Sequence, residues 1–119
     1  MRDNSKRYFY IKSTKKDYGV CWIYKERHRY IDAQIYTSNS VNIGHFNDPK
    51  DRQGLAHFLE HMLFLGTQKY PDGSEYQKYI NQHGGSNNAW TATEHTCFYF
   101  DIQHQYFIEA LDRFSQFFI

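Results

Sequence analysis

The sequence contains only 2 cysteines and 2 prolines among its 119 residues. It therefore has few residues that could form disulfides, as in small secreted domains, or interrupt secondary structure. Cys21 and Cys97 lack C-x-x-C spacing, and two cysteines without a secretory signal favour buried free thiols over a disulfide. No apolar run approaches the ~18 residues of a membrane span, and residues 1–10 are polar and charged rather than apolar. With Met1 taken as the natural start, we expect a cytoplasmic chain that does not enter a membrane.

An excess of charge of either sign is also absent. The chain has 14 Lys and Arg against 13 Asp and Glu, which gives a net charge of +1 with neutral histidines. Because the basic residues are spread among acids, there is no electrostatic case for binding nucleic acid or an anionic membrane. Aromatic residues, in contrast, make up 19% of the chain, with 11 Tyr and 10 Phe. We therefore predict one domain with a core rich in Tyr and Phe.

Residues 7 to 46 have the pattern of β-strands, with apolar and aromatic clusters between turn residues. The predicted strands are Tyr8–Ile11, Val20–Tyr24 and Tyr30–Gly44. A further strand is predicted over Thr96–Ile102, where the residues alternate and include Phe98, Tyr99 and Phe100.

Three segments are predicted to be helical. The first begins between Arg52 and Leu55 and ends at Gly66. The second begins with a capping box formed by Ser74 and Gln77 and ends at Gly84-Gly85. The third begins near Gln105 and carries an apolar stripe of Phe107, Leu111, Phe114 and Phe118.

This order of elements predicts an α+β fold in which an antiparallel or mixed sheet packs against helices. The last predicted helix is still strongly apolar at Phe117-Phe118-Ile119 and has no polar cap. We therefore expect residues 1–119 to be part of a longer chain.

The segment His57-Phe58-Leu59-Glu60-His61 places two imidazoles one helical turn apart with a carboxylate between them. Side chains at i and i+4 project the same way from a helix, so both could bind one Zn²⁺ while Glu60 takes a proton from the metal-bound water. On composition alone, an H-x-x-E-H string is expected roughly 0.02 times in such a chain. The pattern indicates metalloprotease chemistry, and the alternative is a pair of ordinary surface or core-edge histidines.

A helical wheel separates this polar group from an apolar one. Glu60 and His61 fall within roughly 60° of His57. The opposite side of the helix is apolar and comprises Leu55, Phe58, Leu59 and Met62. We therefore expect the apolar side to face a core and the His/Glu side to face a cleft.

Three blocks of sequence resemble the insulin-degrading enzyme and pitrilysin family of zinc peptidases, whose H-x-x-E-H members are called inverzincins. The first is G-L-A-H-F-L-E-H-M-L-F-L-G-T over residues 54–67, followed by Lys69-Tyr70-Pro71. The second is H-G-G-S-N-N-A-W-T over residues 83–91, and the third is A-L-D-R-F over residues 110–114. The resemblance covers about residues 42–119 and is greatest to the insulysin branch.

The resemblance implies specific roles for five residues. His57 and His61 would be zinc ligands, and Glu60 would be the general base that activates the zinc-bound water. Asn88 and Ala89 would bind substrate, since family members take an extended peptide or small polypeptide as an added strand at a sheet edge. An alternative for Ser86-Asn87-Asn88 is a plain turn, because Gly and Asn are common in turns.

The resemblance also implies that the zinc site is incomplete in these residues. The family's third zinc ligand is a glutamate on a later helix, beyond position 119 by the family spacing, and a catalytic zinc normally has three protein ligands. We expect the C-terminal remainder of the parent chain to supply it and the fragment alone to be inactive. Four residues here are candidates by type, although spacing favours none: Glu94, His95, Asp101 and Glu109.

The resemblance therefore implies that residues 1–119 are the N-terminal, incomplete part of the catalytic domain of a zinc metalloendopeptidase that hydrolyses peptides. A second hypothesis is a non-catalytic binding module or decayed homologue that keeps the peptidase fold. A third is an unrelated α+β domain in which the motif binds a structural metal ion.

Overall fold

A computed structural model describes residues 34–119 in full and the backbone of residues 10–11 and 21–25. The strands are β1 (Tyr10–Ile11), β2 (Cys21–Lys25), β3 (Gln34–Val41), β4 (Ser86–Thr91) and β5 (Thr96–Gln103). The helices are α1 (Leu55–Leu63), α2 (Glu75–Gln82) and α3 (Phe107–Ser115). Short 3₁₀ turns occupy His45–Asn47, His104–Tyr106 and Gln116–Phe118.

The five strands form one sheet in the order β1-β2-β3-β5-β4, and every neighbouring pair is antiparallel. Helix α1 packs on β4 and β5, α2 contacts the same two strands, and α3 packs on β5 and α2. The predicted α+β fold, an antiparallel sheet packed against helices, is confirmed. The parts of the predicted strands that fall on residues 1–9, 12–20 and 26–33 lie outside the described residues.

The core is aromatic, as the composition predicts. Strand β5 alternates between buried and partly buried residues, and its inward side chains include Phe98, Phe100 and Ile102. Helices α2 and α3 close over this face with Tyr76, Ile80, Phe107, Ala110 and Phe114, and Phe117 follows α3. The ring of Phe100 lies 5.1 Å from that of Phe114, edge to face, a favourable aromatic geometry.

Strand β4 is absent from the sequence prediction, and the alternative that Ser86-Asn87-Asn88 is a plain turn is wrong. These residues are extended and pair with β5 in the register Ala89 to Phe98 and Thr91 to Thr96. Ser and Asn have low intrinsic β propensity, so pairing with β5 determines this strand rather than local preference.

The predicted capping box at the start of α2 is also wrong. Ser74 donates its hydroxyl to Asp72 Oδ1 at 2.7 Å, and its own backbone N–H donates to the same oxygen at 2.9 Å. The Gln77 amide donates to Asn81 instead of reaching back to Ser74. The Asp72 carboxylate is a stronger acceptor than a neutral group, which explains why it holds the Ser74 hydroxyl.

The predicted apolar stripe of the last helix is correct for the residues of α3 and wrong for those that follow it. Phe107 and Phe114 are buried, but Phe117 rather than Phe118 continues the buried face. Residues 116–118 form a 3₁₀ turn, in which side chains three positions apart lie on one face. Phe117 therefore follows Phe114 into the core.

The expected orientation of α1 is wrong. Its apolar side chains are exposed, with Leu55 at 44%, Phe58 at 61%, Leu59 at 54% and Met62 at 42% of their full accessible area. The buried residues of this helix are Ala56 and Glu60. The side of α1 that packs on β4 and β5 therefore includes Ala56 and Glu60. In the described part of the chain the four large apolar side chains are mostly exposed, and Leu59 borders a groove that Phe98 of β5 also lines.

Of the helices in the described ranges, none combines the length and the apolar character needed to cross a membrane.

Candidate metal centre

The helix that carries the motif is fixed at its start by Asp48. The Asp48 carboxylate accepts the N–H of Gly54 at 2.7 Å and that of Ala56 at 2.9 Å. The Ala56 N–H, with a smaller contribution from that of Gly54, holds the pKa of Asp48 below its ordinary value. An acidic group also suits the positive end of the helix dipole. Asp48 thus defines where α1 begins, one turn before the functional side chains.

Gly54 precedes the helix with a φ of +89°, in the left-handed region that favours glycine. Its carbonyl accepts the first helical hydrogen bond, from the N–H of Phe58 at 2.9 Å. The left-handed conformation of Gly54 therefore turns the chain so that the Asp48 carboxylate reaches the first N–H groups of α1. The helix continues from Leu55 with regular hydrogen bonds.

His57 and His61 converge on one point outside the helix. Their Nε2 atoms lie 3.1 Å apart and their ring centroids 4.7 Å apart. Both residues are exposed, so the point between them is accessible from solvent. Together with one carboxylate oxygen of Glu60, their ligand atoms all lie within 4.8 Å of one another.

This donor set fits a divalent metal ion of intermediate softness. Two imidazole nitrogens bound to one tetrahedral zinc at about 2.05 Å would be about 3.3 Å apart, close to the separation in the structure. Imidazole and carboxylate are also the donor types that zinc accepts besides thiolate. His57, Glu60 and His61 could therefore hold a metal, with either two or three of them as ligands.

Glu60 differs from the two histidines because it is buried, with 6% of its area exposed. The hydroxyl of Thr91, at the end of β4, donates to Glu60 Oε2 at 2.6 Å. Glu60 also lines an apolar groove between α1, β5 and the end of the chain, with Val41, Leu59, Phe98 and Phe118. The carboxylate thus lies between a polar strand end and an apolar wall.

His45 lies next to the histidine pair, with its ring edge-on to that of His57 at a centroid distance of 6.2 Å. Its Nδ1 is 3.8 Å from Asp48 Oδ2, the oxygen that accepts the Gly54 N–H. Its backbone N–H donates to the carbonyl of Ala92 at 2.9 Å. The 3₁₀ turn at His45 therefore links the start of α1 to the β4–β5 connection.

Asn88 and Ala89 lie on β4, which is the last strand in the order of the described sheet. The Asn88 side chain is exposed, and its Oδ1 accepts the N–H of Ala89 at 2.9 Å. Thr91 of the same strand touches Glu60, so the strand leads directly to the cluster. The structure brings the two predicted substrate residues to a sheet edge next to the histidine helix.

The four candidates for a third ligand do not join the cluster in the described part of the chain, which holds His57, Glu60 and His61. Glu109 accepts the hydroxyl of Tyr79 at 2.6 Å, and Asp101 accepts the N–H of Ser86 at 3.1 Å. The His95 ring packs against Trp90, and Glu94 is exposed.

Three residues of the site were not predicted from the sequence. Asp48 has a local signal, since an acid shortly before a helix is typical of an N-terminal cap, but it lies outside the usual position next to the helix. Thr91 has no local signal, because its partner Glu60 is 31 residues away in the sequence. His45 has no pattern that would separate it from the other histidines.

A family model described as insulinase, peptidase family M16, matches residues 32–119. The Arabidopsis thaliana protein named insulin-degrading enzyme-like 1, peroxisomal, is 58% identical over 82 residues, which cover 69% of this chain and 8% of that protein. The Homo sapiens insulin-degrading enzyme is 54% identical over 79 residues, which cover 66% of this chain and 8% of that protein.

A crystal structure of pitrilysin is similar in fold, with a TM-score of 0.67 and 27% sequence identity. The match covers 92% of this chain and 13% of the pitrilysin chain. The chain thus spans about 8% of the length of the curated relatives that it matches.

Proposed function

Because the chain belongs to the insulinase family of peptidases, M16, we propose that it holds two zinc ligands and the general base of a zinc metalloendopeptidase. His57 and His61 bind the metal, and Glu60 handles the proton. The observation that carries this proposal is the 3.1 Å separation of the two Nε2 atoms beside a buried carboxylate. Bound zinc supplies a water with a pKa of roughly 7 and polarises the peptide carbonyl.

Glu60 is better suited to proton transfer than to metal ligation. Its Oε2 accepts a hydrogen bond from Thr91, and Oε1 accepts none from the residues that the structure describes. A general base needs one free oxygen within reach of the proton it takes. The two exposed histidines, in contrast, present their nitrogens outward to a shared position.

The substrate proposed is a peptide or small polypeptide that binds along β4 as an additional strand. An edge strand has backbone donors and acceptors available for pairing, and such binding depends on the peptide backbone more than on its sequence. Asn88 and Ala89 contribute that edge beside the metal ligands. This arrangement would place an extended peptide near Glu60, because Thr91 at the strand end contacts it.

The remainder of the parent chain is proposed to complete the site. Two imidazoles give a weak zinc site, since catalytic zinc normally has three protein ligands and a water. Among the described residues, the cluster consists of His57, Glu60 and His61 and has no fourth member. The relatives are about eight to nine times longer than this chain, so the remainder of the parent chain could supply the third ligand and cover the exposed side of α1. The 119 residues alone are therefore proposed to be inactive, and a cytoplasmic location stays a prediction.

The test uses Glu60→Gln and His57→Ala in the full-length protein that contains these residues. Glu60→Gln should lower the rate of peptide cleavage by about 10²- to 10⁴-fold, the usual contribution of a general base, with zinc still bound. His57→Ala should lose the zinc, because it removes one of the ligands. Zinc content by atomic absorption and cleavage of a fluorogenic peptide measure the two effects.

His104→Ala is the matched control, since His104 is exposed and lies outside the cluster. It should keep both zinc and activity. Loss of zinc in Glu60→Gln would identify Glu60 as a ligand instead of the base. Retained zinc in His57→Ala would contradict the proposed ligand set, and peptide binding without cleavage by the unmodified protein would favour the non-catalytic hypothesis.

A further inference from the structure

The Glu60 carboxylate depends on very few partners for its orientation. It has 6% of its area exposed and lines an apolar groove, where an unpaired carboxylate would be costly. Within residues 34–119, its hydrogen bond comes from the Thr91 hydroxyl, at 2.6 Å from Oε2. A glutamate side chain has three rotatable bonds, so without this contact its carboxylate could turn away from the histidines.

The Thr91 hydroxyl lies beside that of a second threonine. Thr91 pairs with Thr96 in the β4–β5 register, and their Oγ1 atoms are 3.2 Å apart. Thr96 is 5% exposed and donates its hydroxyl to the carbonyl of Ile43 at 2.8 Å. Because a hydroxyl has a single hydrogen, that of Thr96 is used at Ile43 and that of Thr91 is available for Glu60.

We infer that Thr91 is a positioning residue for Glu60, whereas the neighbouring Thr96 uses its hydroxyl hydrogen at Ile43. The Thr91 hydrogen bond holds Oε2 and so fixes the carboxylate beside the position shared by His57 and His61. This inference rests on the proposed function, since it gives Glu60 the role of base.

The same contact couples the base to the strand proposed to bind substrate. Thr91 is the last residue of β4, and Asn88 and Ala89 lie on the strand just before it. A peptide that pairs with β4 therefore binds to the element that orients the catalytic carboxylate. Sub-ångström errors in such orientation lower the rate of a chemical step more than they lower substrate affinity.

The experiment compares Thr91→Val, Thr91→Ser and Thr96→Val in the full-length protein, with Thr93→Val as the matched control. Valine keeps the shape of threonine without the hydroxyl, and serine keeps the hydroxyl. Thr93 is an exposed threonine two positions away. Thr91→Val should lower kcat roughly 10- to 100-fold, the effect of losing one hydrogen bond to a charged group, with KM and zinc content unchanged.

Thr91→Ser should restore kcat to within about threefold of the unmodified protein, Thr96→Val should show a smaller loss than Thr91→Val, and Thr93→Val should show none. Crystal structures of the metal-free Thr91→Val and Thr91→Ser proteins give a readout that does not depend on activity. The Glu60 carboxylate should leave its position in the valine variant and keep it in the serine variant.

An unchanged Glu60 rotamer and unchanged kcat in Thr91→Val would overturn the inference. Failure of Thr91→Ser to restore kcat, or loss of zinc in Thr91→Val, would also overturn it, because each indicates a general structural role. If the unmodified protein cleaves no peptide, the proposed function fails, and the Glu60 rotamers in the two crystals alone decide whether Thr91 positions the carboxylate.

Discussion

Helices α1 and α3 are both nine residues long and amphipathic, but they turn opposite sides toward the sheet. Helix α3 buries Phe107, Ala110 and Phe114. Helix α1 buries Ala56 and Glu60, and its large apolar residues face outward. The amphipathic pattern therefore identifies two distinct faces of a helix without indicating which of them the adjoining sheet covers.

The difference between the helices reflects two roles. Helix α3 stabilises the fold through its apolar face. Helix α1 instead packs on β4 and β5 with Ala56 and Glu60 as its buried residues, and Glu60 reaches Thr91 at the end of β4. The orientation of α1 thus follows from the candidate site, and its outward apolar face is the surface proposed to meet the rest of the parent chain.

Two phenylalanines test this comparison most directly, Phe114 on α3 and Phe58 on α1. Phe114 is 3% exposed and packs against Phe100, whereas Phe58 is 61% exposed. Phe114→Ala should lower the free energy of unfolding of the 119-residue chain by about 3–5 kcal/mol, because it leaves a cavity in the core. Phe58→Ala should change it by less than about 0.5 kcal/mol.

Urea unfolding followed by circular dichroism measures both variants, and each serves as the control for the other. Similar costs for the two variants would mean that the apolar side of α1 is packed within this chain, and the comparison would then fail.

Two arginines provide the second test, one on the polar side of α3 and one in the loop before α1. Arg113 of α3 donates from Nε to Glu75 Oε1 at 2.7 Å, and its guanidinium lies 3.9 Å from the centre of the Tyr79 ring. Its side chain is 17% exposed. Arg113→Lys keeps the positive charge but removes the planar guanidinium, which both stacks on Tyr79 and donates to Glu75. We therefore expect the free energy of unfolding to fall by about 1–2 kcal/mol.

Arg52→Lys is the matched control, since Arg52 precedes α1, is 75% exposed and lies 3.8 Å from an equally exposed Asp51. It should have no measurable effect in the same urea experiment. An equal loss in both variants would show that the Arg113 network adds no more than an exposed ion pair.

Local patterns explain which parts of this molecule were predictable. The alternation of Phe98, Phe100 and Ile102 predicts β5, and the spacing of His57, Glu60 and His61 predicts their convergence, because both depend on the geometry of a single element. Strand β4 was not predicted, since Asn and Ser give it no apolar alternation. Its existence depends on pairing with β5.

Local sequence patterns could not predict contacts between residues that are far apart in the sequence. Thr91 lies 31 residues from Glu60 in the sequence, and only the placement of β4 beside α1 brings them together. The wrong orientation of α1 has the same origin. An amphipathic pattern contains no information about which neighbouring element contacts each face.

The start of α1 provides the smallest and most specific test, through the pH dependence of stability. Hydrogen bonds from the N–H groups of Ala56 and Gly54 lower the pKa of Asp48 in the folded protein. A carboxylate with a lowered folded pKa stabilises the protein above its unfolded pKa of about 3.9, and this contribution is lost as the pH falls through the folded value. Asp48→Asn should therefore lower the unfolding midpoint at pH 6 and have progressively less effect below about pH 4.

Asp51→Asn separates this effect from a general loss of negative charge, because Asp51 is 79% exposed and lies in the same loop. Its unfolding midpoint should follow that of the unmodified chain from pH 6 to pH 2. A constant difference between Asp48→Asn and the unmodified chain over this range would mean that the Asp48 carboxylate charge does not stabilise α1. The shape of the side chain would then be the cause, and the helix that carries His57 and His61 would owe its position to packing on β4 and β5 rather than to its N-terminal cap.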